Sequence, residues 1–462
     1  MNLKKILWIT AGLWVAAAMP AGALDQRDMV GHLRGPYNLA FFYRHNAAYR
    51  ISASIHIAHA VQHDVLQLSP FGEHAAVDME TDAEFMQATF NPPRTEPTME
   101  MFGPYAGRFI FDLYRAIDWT HMHHEQTYDI LSDKNTPWSE KQRWTDRAVA
   151  YYLEKLDIPR SPAPLDVTMR RAGVMMKPYF SLFRNNYPES NNYFYAAHWW
   201  HPVIYEAMML GGNDDEQATM VNQTDSTYYS QVLKKRPLRM LLSREVMPRY
   251  SRFSPESANI FDNLHMLHGI AYDILAYPEW TPEEKAAELK RVIEAMSDQP
   301  GDEKLARKFN IPYPDMDPRV YEDWMQGAEG EMNRIMMEMM EEMMPLMMPG
   351  GMDEEMKGRM MEQFRMKLAP GMQDGEIPGS LNQAMKQMMP RMQMMPEAMA
   401  PGATPKKMID AMLAGWQRKW GEISDVDPWP MNREPKMPAF PEAIRQAGWR
   451  QMEVQNKSQF KP

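Results

Sequence analysis

The stretch HMLHGIAYDIL, residues 265–275, decides the reading, because its pattern is written four times. Residues 121–131 read HMHHEQTYDIL, residues 56–66 read HIAHAVQHDVL and residues 198–208 read HWWHPVIYEAM. The shared frame is His-x-x-His, three residues, Tyr or His, an acid and two mostly apolar residues. On a helix three steps turn about 300° and seven about 700°, so both His and the Tyr or His lie on one face. Four helices that each carry a stripe of imidazoles predict a place where the stripes meet.

The four copies fall into two pairs. Asp118 through Leu131 matches Asp262 through Leu275 at an offset of 144, and Trp138-Ser139 matches Trp280-Thr281 at an offset of 142. His56 precedes His121 by 65 residues, and His198 precedes His265 by 67. The fold class expected is therefore all-α: a duplicated helical bundle of about six to ten helices, with four His-bearing core helices. Its units are residues 24–165 and 166–300, packed together as one bundle. A helix is expected from Tyr37 to Leu68, and Thr281-Pro282 reads as an N-cap followed by a good first helical residue. Residues 69–104 and 211–230 are polar and read as long connections, the first with at most one short helix. Residues 231–252 read as helix.

Beyond about residue 300 the composition changes. All 13 His lie between His32 and His268, whereas residues 331–400 hold 22 of the 47 Met. Runs such as Met336-Met337-x-Met339-Met340 sit among Glu, Lys, Pro and Gly. Residues 301–462 are accordingly expected to form a Met-rich, low-complexity appendage of short helices or disorder rather than a second packed domain, with its Pro-rich end extended against the body. The opposite end has a basic start, an apolar run from Ile6 to Met19, and Ala21-Gly22-Ala23. Residues 1–23 read as a signal peptide, which places the mature protein in the periplasm. No later stretch is apolar enough to span a bilayer, so no transmembrane segment is expected after signal cleavage. A formal net charge of −11 and the absence of a basic block argue against nucleic acid as a partner.

The chain has no cysteine, which rules out disulfides, thiolate ligands and covalently attached haem. Thioether and imidazole are the soft donors that remain, and together they suit copper, since Met favours Cu(I) and His serves either oxidation state. The candidate metal ligands are His56, His59, His63, His121, His124, His198, His201, His265 and His268. Asp118 and Asp262, three residues before the first His of their copies, share the stripe and could ligate metal or orient a ring. Tyr128, Tyr205 and Tyr272 continue the stripe as phenols beside a cofactor, or as core aromatics. Asp64, Asp129, Glu206 and Asp273 lie about 80° away and are expected either to support the ligand rings from behind or to pair helix with helix.

The function expected is periplasmic copper binding and handling. The His cluster holds the metal, and the Met-rich tail captures Cu(I) or meets a periplasmic or membrane-bound copper protein. A copper- or other metal-dependent oxidoreductase is the alternative within metal chemistry, with zinc or iron as the other ions. A bis-His electron carrier holding haem b is the alternative outside it. Whether the chain is an enzyme is left open. Imidazole binds metal only when neutral, so a site of several ordinary His should lose affinity steeply between about pH 7 and 5.

Overall fold

The computed structural model describes residues 39–306 apart from 70–71, 95, 97–102, 156–157 and 211–212, then scattered positions to 330, residues 331–347, and 355, 358 and 359. The candidate signal peptide and most of the Met tract lie outside the described residues. Within them the chain is all-α, with sixteen α-helices and no sheet; one isolated bridge joins Arg160 to Ser297.

In chain order the helices are α1 Ala40–Arg44, α2 Asn46–Leu68, α3 His74–Phe90, α4 Pro104–Phe109, α5 Phe111–Ser132, α6 Trp138–Lys155, α7 Leu165–Ala172 and α8 Leu182–Asn186. Then come α9 Pro188–Leu210, α10 Asp214–Thr227, α11 Ser243–Val246, α12 Pro248–Phe253, α13 Pro255–Leu275, α14 Pro282–Ala295, α15 Asp302–Leu305 and α16 Glu331–Met347. The four copies of the frame sit on the four longest helices, α2, α5, α9 and α13, of 23, 22, 23 and 21 residues. α5 and α13 are buried nearly all round, which marks them as central. One continuous apolar core draws on both halves, from Phe41 and Ile55 through Trp199 and Leu264 to Met339.

The acids beside the stripe show how the central helices hold the short ones. Asp129 accepts from the main-chain N–H of Leu39 at 2.7 Å and Phe41 at 2.9 Å, where α1 begins. Asp273 does the same for α8, accepting from Ser181 and Phe183 at 2.8 Å each. Asp64 takes the N–H of Tyr105 and Ala106 at the start of α4, and Glu206 takes that of Arg249 at the start of α12. Helix starts leave N–H groups without intrahelical partners, and a carboxylate satisfies them while meeting the positive end of the backbone dipoles. Leu39 and Ser181, the residues just before α1 and α8, both adopt left-handed backbone, with φ of 64° and 66°. Lys141 donates to Leu131 O and Lys285 to Leu275 O, so each lysine closes the end of a central helix. Thr281 caps α14 with the reciprocal Thr281–Glu284 box.

Several expectations need correction. The helix from Tyr37 breaks at His45, which separates α1 from α2. Residues 69–104 and 211–230 contain the 17-residue α3 and the 14-residue α10. Their inward stripes are largely polar: Asp78, Thr81, Phe85 and Thr89 in one, Gln217, Val221, Thr224 and Asp225 in the other. Residues 231–252 give only the short α11 and α12 as α-helix. The division at residue 300 does not bound the packed body. Asp302 pairs with Arg171 and accepts from Ser161, and Met332, Ile335, Met336, Met339 and Met340 of α16 are buried in the main core.

Candidate metal centre

All nine candidate histidines are buried; the most accessible, His121, is 6% exposed. Eight of them, two from each of α2, α5, α9 and α13, form one connected set of rings. The closest pairs are His198–His265 at 3.9 Å between centroids, His56–His121 at 4.0 Å and His59–His268 at 4.2 Å. Wider contacts join these pairs: His121–His268 at 5.9 Å, His124–His265 at 6.2 Å and His201–His265 at 6.1 Å. The stripe drawn from residue spacing thus meets at the helix crossing. His63, the ninth, lies at the edge, 6.1 Å from His268 and packed on Tyr114 and Tyr272.

The set is electrostatically uneven. At one end His56 is held between two carboxylates, with Nδ1 against Glu96 and Nε2 3.2 Å from Asp118 Oδ1. Burial alone would depress its pKa, but Glu96 and Asp118 overcome this and raise it to about 10. His56 is therefore an imidazolium at neutral pH. The other rings have no comparable acid. Burial pushes His63, His198 and His201 down to about 3, with His201 adding to the effect on His198. His59, His121, His124, His265 and His268 are held well below the ordinary value by burial first, then by neighbouring imidazoles. These eight are neutral and can donate a lone pair without first losing a proton.

Their nitrogens are short of partners. Both ring nitrogens of His63, His121, His198 and His268 lack a hydrogen bond, as do Nε2 of His59, His124 and His265 and Nδ1 of His201. Each such buried atom costs on the order of 1–3 kcal/mol. Core packing alone does not accumulate this many, because buried polar groups are normally satisfied. His59 is fixed in one tautomer: Nδ1–H donates to Ile55 O at 2.8 Å, which leaves the Nε2 lone pair without a partner. Among the described residues, His56, Asp118 and His121 each offer a ligand atom within 4.8 Å of the others. That trio becomes a donor set only once His56 loses its proton, whereas the neutral imidazoles beside it are already of a donor type that metal ions take. The cluster does not fit haem between the closest rings, since 3.9–4.2 Å leaves no room for a macrocycle. The cavity beside the cluster, about 100 Å³, is also too small for one.

The remaining candidates divide. Asp118 faces His56, but Asp262 accepts from Ser243 N at 2.9 Å and Oγ at 2.7 Å and so anchors the start of α11. The three phenols are engaged with the helices that carry the imidazoles. Tyr128 donates to His201 O at 2.8 Å and Tyr272 to His59 O at 3.5 Å, each reaching the opposite half of the chain. Tyr205 meets Thr127 Oγ1 at 2.5 Å and the carbonyl of His124. This is the core-aromatic reading, with the hydroxyls setting helix register. Glu96 escaped sequence reasoning because it sits in an irregular connection. Phe194, tilted against His59 at 4.6 Å, and Phe261, stacked on His124 at 4.3 Å, escaped it as ordinary apolar residues. Ser52, which helical spacing places on the His face of α2 without giving it a role, meets His201 Nε2 at 3.2 Å.

The class of protein defined by these elements is an all-α bundle built around a buried histidine cluster. Comparison with protein-family models, with curated proteins and with solved structures returned no match. No helix among the described residues is long and apolar enough to cross a membrane.

Proposed function

We propose that the protein binds and handles copper in the periplasm, with the imidazoles of α2, α5, α9 and α13 as the holding site. The observation that carries this reading is the set of buried, neutral rings whose nitrogens lack partners. Eight of the nine candidates need lose no proton to bind, and the absence of thiols leaves imidazole and thioether as soft donors. The Met-rich tract would capture Cu(I) or present it to a partner copper protein. The copper, when bound, would supply the charge that satisfies the orphaned nitrogens. The chain's own contribution is to hold the rings at fixed spacing, keep them neutral and exclude water.

We also infer that residues 24–165 and 166–300 are two copies of one unit. The caps support this: Asp129 on Leu39 and Phe41, and Asp273 on Ser181 and Phe183, recur at offsets of 142–144. The reciprocal Tyr128–His201 and Tyr272–His59 contacts support it too.

A second reading, a metal-dependent oxidoreductase, is favoured by one feature. His198, His265 and His268 line a cavity, which allows a bound metal an accessible coordination position. Metal analysis and the absorption spectrum of protein purified from the periplasm test the proposal. Copper at one or a few ions per chain with no Soret band is expected. A Soret band, or zinc or iron in place of copper, would overturn it.

A further inference from the structure

We propose that a soft monovalent ion, Cu(I) or Ag(I), reaches the imidazoles through a cleft walled by the thioethers of Met240, Met266, Met332 and Met336. The inference rests on the reading that the cluster holds copper. A cavity of about 100 Å³ runs between α16 and the cluster, and its lining includes His59, His198, His265 and His268 together with these four methionines. Met332 and Met336 are one helical turn apart and so share a face of α16. The helix is fixed over the cleft by Glu342, which takes Arg170 Nη2 at 2.7 Å and Nε at 2.8 Å. Both nitrogens of His198 and His268, and Nε2 of His265, lack partners. Residues with unpartnered nitrogens and residues with soft sulfurs therefore line one partly open cavity, the nitrogens themselves being buried rather than exposed to it.

The bland account is that Met fills an irregular gap, as it does in many cores. An apolar plug would explain the methionines but not the unsatisfied nitrogens beside them. The cleft also carries two arginines: Arg239 donates to Glu245 Oε1 at 2.8 Å, and Arg184 donates to Ser181 Oγ at 3.4 Å. Transfer along this route exchanges Cu–S bonds for Cu–N bonds. The ion arrives and stays as Cu(I), the thioethers are left uncharged, and no proton or electron is required.

The test is a loading time course on the full chain, wild type against M332L/M336L, a change that keeps apolar bulk and removes both sulfurs. Cu(I) is mixed anaerobically, samples are freeze-quenched, and imidazole ligation is read by X-ray absorption at the copper edge; Zn(II) is run in parallel. The expected result is at least a tenfold slower gain of imidazole ligation for Cu(I), an unchanged end point and an unchanged rate for Zn(II). Equal Cu(I) rates would overturn the passage and leave the histidine site standing. Slowing of Zn(II) to the same degree would overturn the thioether role by assigning the effect to shape. Absence of imidazole ligation in the wild type would overturn the copper reading and the passage with it. If the double variant does not fold, M240L is run in its place with the same outcomes.

Discussion

Replacing His198 and His268 by Leu is expected to make the metal-free protein more stable while removing two of its donors. Both rings are buried, and all four of their nitrogens lack hydrogen bonds. Each buried polar atom left unsatisfied costs on the order of 1–3 kcal/mol, and a leucine of similar bulk removes that cost. Two effects work against the gain. The tilted contact of His198 with His265 and the stacking of His268 on His59 contribute about 0.5–1.5 kcal/mol per pair. An imperfect fit of the new side chains costs roughly 1–3 kcal/mol. The balance is a stabilisation of about 2 kcal/mol, or roughly 4–8 °C in Tm for a body of this size. Urea and thermal unfolding with a chelator present measure it. Ordinary core histidines behave oppositely: their loss destabilises, and a fall of 1 kcal/mol or more would identify these two as packing. With copper present the order should reverse, because a ligand that binds only the folded state stabilises it by mass action.

The second large effect is in pH. At the His56 end a proton must leave before the ring can bind metal, since Glu96 and Asp118 raise its pKa to about 10. Affinity there should climb about tenfold per pH unit from 7 to 10, and at pH 7 it is depressed about 1000-fold, or ~4 kcal/mol. The same shift bears on folding. A raised imidazole pKa contributes stability that is fully present below about pH 6.5 and is lost as pH rises through about 10. At the other end His198 and His201, with values near 3, give no proton competition above about pH 4. The first copper is therefore expected at the His198–His265 end with affinity flat from about pH 5 to 9. The His56 end fills only as the solution becomes alkaline, and Glu96→Gln shifts that filling to lower pH. Cu(I) competition titrations across this range decide it. A steep loss of the first site between pH 7 and 5 is what exposed imidazoles give, and it would contradict the account. That steep loss is also what residue types alone predict, and burial is the reason for the difference.

How far the sequence could be read follows from where its periodicity was apolar or chemically distinctive. The four His helices are legible because imidazoles at three and seven residues mark a face whatever surrounds them. α3 and α10 are not, because their inward stripes are Asp78, Thr81 and Thr89, and Gln217, Thr224 and Asp225, which read as solvent-facing. Their burial depends on distant partners. Asp78 accepts from Glu189 N and Ser190 N, and Gln217 donates to Leu131 O and Met208 O. The break at His45 depends likewise on Asp129 accepting N–H groups about 90 residues away. Glu96 could be found only once the chain was folded. Helical angle alone sets the four acids beside the stripe off the His face, and each accepts main-chain N–H groups at the start of a short helix, a partner that no residue spacing names.

The most direct measurement of the central claim is copper-edge X-ray absorption on the full chain carrying one equivalent of Cu(I). The account predicts a nitrogen shell with the outer-shell scattering of imidazole, lost in the H198L/H268L variant. A first shell of sulfur alone, or an imidazole pattern unchanged in that variant, would contradict it.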